Sequence, residues 1–155
     1  MLIAAAMLGD PDLLILDEPT AGLDPKQRVI IRNMVSDLGQ EKIIIISTHI
    51  VSDIEYIATR NAIMKAGKII DMGTTDELVK EIEGKVWTCT IPVGDLVSCE
   101  MQLRIINQRS EDNGQVSIRY LSETPKIKGS VNEPPRLEDL YLWYFPQGHL
   151  GEEEN

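Results

Sequence analysis

Two acidic residues at the end of a short apolar run are the first candidates for chemistry in this chain. Leu13-Leu14-Ile15-Leu16 is uninterrupted apolar sequence, and Asp17-Glu18-Pro19 ends it. Such a run, closed by a turn signal, predicts a strand buried on both faces, as in a parallel sheet. Ligands of open parallel sheets bind beyond the carboxyl ends of the strands. Two adjacent carboxylates there suit a metal–nucleotide site. One holds a divalent ion through water, and the other orients or deprotonates an attacking water. A second run, Ile43-Ile44-Ile45-Ile46, ends in Ser47-Thr48-His49. Parallel neighbours end on the same side, so His49 can face Asp17 and Glu18. There it can hydrogen-bond a terminal phosphate and stabilise charge as the bond breaks.

The elements that must position these residues are legible around them. Asp24-Pro25 places an N-cap residue before a proline at the first helical position. Val29, Ile30, Met34, Val35 and Leu38 follow at helical spacing, and Gly39 closes the segment. Strand, helix and strand with short links predict a βαβ unit with parallel strands and a right-handed crossover. Residues 1–9 read as a buried helix stopped by Gly9 and Asp10-Pro11. Residues 52–58 read as helical, and Ala66-Gly67 as a tight hairpin between 62–65 and 68–71. Thr74 to Leu78 opens another helix with acids in its first turn. Around Gly84 the character changes. Residues 86–91 alternate, 101–109 and 115–121 flank Asn113-Gly114, a strong hairpin signal, and Pro134-Pro135 introduces an aromatic helix over 137–145.

Composition narrows the function classes. The chain has 155 residues, 43% hydrophobic, enough for a core, and a net charge of −10. That charge opposes a nucleic-acid binder, which would carry a basic stripe. Cys89 and Cys99 match no CxxC pair and have no accompanying His cluster, so they read as two reduced thiols. The apolar runs are far too short to span a bilayer, and the apolar N-terminus lacks the basic segment of a signal peptide. The expectation is a cytosolic chain that can still dock on a membrane protein.

The stretch from Leu13 to Pro25, including Asp17-Glu18-Pro19-Thr20 and Gly22-Leu23-Asp24-Pro25, resembles the Walker B and D-loop segment of ATP-binding cassette (ABC) ATPases. Ser47-Thr48-His49 resembles their switch-histidine loop, at the matching distance of one helix and one strand. The resemblance implies a partial P-loop NTPase, with a parallel sheet and flanking helices, followed by a small C-terminal α+β appendage. It implies that Asp17 holds Mg²⁺ through water, that Glu18 is the base or water-orienting residue, and that His49 contacts the γ-phosphate of ATP. Asp24 would reach across a head-to-tail dimer to a second ATPase subunit. The stretch from Ser47 to Glu55 and the ending from Pro135 to Leu142 resemble bacterial ABC-2-type exporters of antimicrobial peptides or drugs. Such subunits sit peripherally on the inner face of the plasma membrane, bound to a membrane-spanning permease, without nucleic acid. Each site residue also has a plainer reading: Asp17 as a turn cap, Glu18 as a surface acid, His49 as a structural histidine, Asp24 as an N-cap alone.

Two family motifs are missing from the sequence. It contains no GxxxxGK(S/T) phosphate loop and no LSGGQ signature. In family order both precede Walker B, which places them upstream of Met1. The expected division is therefore residues 1–83 as the later part of an ABC ATPase domain, 84–150 as an accessory domain, and 151–155 as an acidic tail. Without the phosphate loop the backbone cradle and its lysine are absent, so the isolated chain is predicted to be inactive. The alternative is a non-catalytic remnant or interaction module derived from such an ATPase.

Overall fold

A computed structural model of the chain describes residues 2–146. The acidic tail lies outside the described residues. The chain divides into two compact units, Met1–Thr59 and Arg60–Asn155.

In the first unit, α1 (Leu2–Ala6), β1 (Leu13–Asp17), α2 (Pro25–Leu38), β2 (Ile43–Ser47) and α3 (Val51–Ile54) follow in order. The two strands are parallel and paired without slip from Leu13↔Ile43 to Asp17↔Ser47. Asp17 and Ser47 therefore finish side by side at the same sheet end. Asp24 caps α2, its Oδ1 accepting from the Gln27 amide at 2.8 Å, with Pro25 at the helix start. Ile3, Leu16 and Val35 form the core, with Ile31, Met34, Ile44, Ile46 and Ile57 packed around them.

Three expectations change here. The strands are buried on one face rather than two. Leu14 and Leu16 are buried, while Leu13, Ile15, Ile43 and Ile45 are 47%, 69%, 66% and 52% exposed. In a strand successive side chains point to opposite faces, and among the described residues only one face of this sheet is covered. For the same reason α1 buries one side: Ile3 is inside, while Leu8 beyond the helix is exposed. The segment after His49 is helical only over Val51–Ile54 and continues as turns, with the Ala58 amide still bonded to the Ile54 carbonyl at 2.9 Å.

The second unit opens with the hairpin of β3 (Asn61–Lys65) and β4 (Lys68–Gly73). Ala66 and Gly67 both have positive φ, the two-residue turn that matches strand twist. Then come α4 (Thr75–Val79), β5 (Val86–Pro92), α5 (Leu96–Gln102), β6 (Arg104–Ser110), β7 (Gln115–Leu121), β8 (Val131–Asn132) and α6 (Leu137–Tyr144). The last four strands form an antiparallel sheet in the order β6-β7-β5-β8. Cys89, Ile91, Val116, Ile118 and Tyr120 are its core. Both cysteines are free thiols. The helix α5 was not expected, and Met101 belongs to it rather than to the strand. The aromatic helix α6 packs within its own unit: Leu137 and Leu140 are buried, and Trp143 lies under the cations of Lys85 and Arg104.

Candidate functional site

The parallel register brings the predicted residues together at one strand end. The Ser47 hydroxyl donates to Asp17 Oδ1. Glu18 leaves the strand with φ +45°, a left-handed conformation uncommon for a side-chain-bearing residue. Its amide still donates to the Ser47 carbonyl at 2.8 Å. That turn swings the Glu18 carboxylate over the beginning of the next loop. Thr48 Oγ1 donates to Oε2 at 2.9 Å, and the His49 amide donates to Oε1 at 3.0 Å. His49 Nδ1 lies 2.7 Å from the same Oε1. Backbone strain of this kind is of order 1–3 kcal/mol and clusters at functional sites; here three donors hold it.

The electrostatics follow from those contacts. The His49 hydrogen bond, aided by Thr48 and by the His49 amide, holds the Glu18 carboxyl below its ordinary range, against the opposing effect of burial. Glu18 is thus a carboxylate at neutral pH, able to accept a proton or orient a water. Asp17 is exposed beside it.

Of the four residues singled out from sequence, Asp17, Glu18 and His49 converge with Ser47 and Thr48. Asp24 does not join them; it stands at the start of α2. Sequence reasoning gave Ser47 and Thr48 no individual roles, although both donate hydroxyls to the two carboxylates. The signal was their position: hydroxyl residues directly after a buried-type strand, opposite two acids.

The donor set suits Mg²⁺ held partly by water. Asp17 offers a hard, exposed carboxylate oxygen, and Mg²⁺ keeps several waters and uses one or two carboxylates plus substrate phosphates. No group of three His, Cys, Asp or Glu residues that could form an all-protein cage exists among the described residues.

No protein-family model matches the chain. Individual relatives do match. The chain is 32% identical over 152 residues to the Nod factor export ATP-binding protein I of Rhizobium leguminosarum bv. viciae, covering 92% of this chain and 49% of that protein. It is 32% identical over 154 residues to the protein of the same name from Cupriavidus metallidurans, covering 92% and 50%. With that of Paraburkholderia xenovorans the identity is 29% over 153 residues, covering 92% and 50%. The chain thus spans about half the length of the curated relatives it matches. With aspartate, glutamate and histidine meeting at the ends of two parallel strands, the chain is similar along nearly its whole sequence to ABC transporter ATP-binding subunits.

Proposed function

We propose that the chain supplies the hydrolytic half of an ABC exporter's nucleotide site and acts only when an upstream half supplies the phosphate loop and signature. The observation that carries this reading is the Glu18–His49 contact beside Asp17 at a parallel strand end. Residues 1–83 would form the later part of the ATPase domain on its P-loop parallel sheet, and 84–150 the accessory region. Asp17 would hold Mg²⁺ through water, and Glu18 would orient or deprotonate the attacking water. Bound Mg²⁺ would neutralise charge on the phosphates. His49 already presents Nδ1 to Glu18, so for Nε2 to donate to a γ-phosphate the ring must carry both protons. Asp24, exposed at the start of α2, would face a second ATPase subunit across a head-to-tail dimer. A membrane-spanning permease would complete the assembly on the inner face of a bacterial plasma membrane. The names of the relatives support export, and the cargo class would be a peptide, drug or similar solute. No helix among the described residues is long and apolar enough to cross a membrane, which suits a peripheral subunit.

The half-length match and the absence of GxxxxGK(S/T) favour a second reading, a non-catalytic module derived from such a subunit. One experiment separates the two. The chain is combined with an N-terminal half carrying the phosphate loop and signature, and ATP turnover and binding are measured. Turnover should appear only in the combination. Glu18→Gln should lower it about 100-fold or more while nucleotide binding persists. Full turnover by that variant sinks the role given to Glu18, and micromolar ATP binding by the isolated chain sinks the division of labour.

A further inference from the structure

Asp53 is a charged residue buried to 5% exposure, and it lies outside the chemistry described above. It is on α3, four residues after His49. Arg28 Nη1 and Arg32 Nη1, both from α2, lie 3.9 Å and 3.8 Å from its two carboxylate oxygens. Neither distance is a close hydrogen bond, and Oδ2 has no hydrogen-bond partner among the described residues. A pair this loose and this buried is a poor stabiliser, because desolvation opposes the attraction. Arg28 also reaches elsewhere: its Nε donates to the Leu23 carbonyl at 3.2 Å. Leu23 precedes Asp24 in the loop that begins at Glu18. One guanidinium therefore faces the Asp24 loop with one nitrogen and the helix behind His49 with another.

We propose that Arg28 and Asp53 are positioning residues that couple the Asp24 loop to the His49 turn, so that a change at one is felt at the other. Arginine suits the task because its planar fork presents separate donors in fixed directions; a lysine ammonium cannot keep both contacts from the same position. The loop from Glu18 to Asp24 and the segment from His49 to Asp53 each carry one member of the Glu18–His49 pair. Arg28 and Asp53 join their far ends, closing a ring of contacts. A partner pressing on Asp24 would thereby alter how His49 is presented to Glu18. This inference rests on the proposed roles of Glu18, His49 and Asp24, but its geometry concerns this chain alone.

Amide hydrogen exchange on the whole chain tests it through residues the substitutions do not touch. The reporters are the His49 amide, bonded to Glu18 at 3.0 Å, and the Ala21 and Leu23 amides, bonded to the Glu18 and Thr20 carbonyls at 3.1 and 3.3 Å. The Gly39, Lys42 and Ile43 amides, bonded at 2.9, 3.0 and 2.9 Å at the far end of α2 and the start of β2, are controls. Arg28→Lys should speed exchange at His49, and Asp53→Asn should speed exchange at Ala21 and Leu23, each about fivefold or more. The controls should keep their rates. Unchanged exchange at His49 in Arg28→Lys overturns the proposal. So does equal acceleration at reporters and controls, which would make the cluster ordinary packing. Should Asp53→Asn lose protection throughout, Arg28→Lys, which keeps the charge beside Asp53, decides alone. Failure of ATP turnover in the combined halves would remove the proposed function and leave the exchange pattern standing, so the two failures are distinguishable.

Discussion

Glu18 and Asp139 are both carboxylates held by several donors, yet they answer to different physics. Asp139 is buried and takes a bidentate pair from Arg119, Nε to Oδ1 at 3.1 Å and Nη2 to Oδ2 at 2.6 Å. The Arg136 amide adds a third donor at 2.8 Å, and Arg119 Nη2 also donates to the Pro134 carbonyl at 2.9 Å. This knot ties the start of α6 to β7. Breaking such a pair strands a buried charge, at a cost of about 3–5 kcal/mol, whereas replacing both partners with apolar groups costs far less. Asp139→Ala should therefore destabilise the second unit strongly in urea unfolding, and Arg119→Met with Asp139→Leu should recover most of the loss. Equal losses would show that the pair contributes nothing as a pair. None of this was legible in the sequence, where Glu138-Asp139 at the start of the expected aromatic helix carries no sign of burial. Glu18, Asp17 and His49 were legible because chain chemistry places them: polar residues directly after apolar runs mark strand ends. Asp53 was not, because an acid among Ser52, Ile54 and Glu55 carries no sign of burial until α2 is packed over it.

At the scale of elements, helix α4 shows how much of the fold is written locally. Thr74 accepts the Glu77 amide at 3.2 Å, and Glu77 reaches back to the Thr74 amide at 2.9 Å, a capping box. Thr74→Ala should cost about 1 kcal/mol. The backbone bond to Thr74, then its side chain, holds the Glu77 carboxyl below its ordinary value of 4.5. A depressed carboxylate contributes stability that is complete above the unfolded-state value and is lost as pH falls through the folded-state value. Glu77's share is therefore complete well above its ordinary value of 4.5 and is lost as pH falls through the lowered folded-state value. Glu77→Gln should flatten that part of the acid-unfolding curve; an unchanged curve would leave the box without energetic weight. The hairpin turns at Ala66-Gly67 and Asn113-Gly114 were readable for the same local reason, since left-handed φ favours Gly67, Asn113 and Gly114. Helix α5 was not readable. It has only seven residues, and its inward set, Leu96, Cys99 and Leu103, is interleaved with exposed Val97 and Met101. Val97, Cys99, Met101 and Leu103 alternate with Ser98, Glu100 and Gln102, which reads as a strand, while the helical spacing of the inward set shows only once it is packed. Its helicity comes from packing on β5 and β7, a tertiary effect that local sequence does not contain.

At the scale of the whole molecule the strands of the first unit pose an unsolved burial problem. Leu13 pairs with Ile43 and Ile15 with Ile45, so four aliphatic side chains stand together on one face, each about half exposed or more. Parallel strands rich in such residues are normally covered on both sides, and an uncovered apolar patch marks an interface or an aggregation site. The sequence expectation of two-sided burial is not met: among the described residues nothing covers this face. The proposed upstream half would supply that cover, and the patch then makes two demands on experiment. Alone, the chain should self-associate at micromolar concentration in sedimentation velocity, and Ile15→Lys with Ile45→Glu should shift it toward monomer. These two residues lie opposite each other, so the introduced charges attract rather than repel, and the covered face with Leu14 and Leu16 is untouched. In the combination with an N-terminal half, the same double substitution should abolish association of the halves and with it ATP turnover, although Glu18, His49 and Asp17 are unaltered. Turnover that survives would mean the patch is not where the missing half seats, and the coupling of assembly to hydrolysis would have to lie elsewhere on the chain.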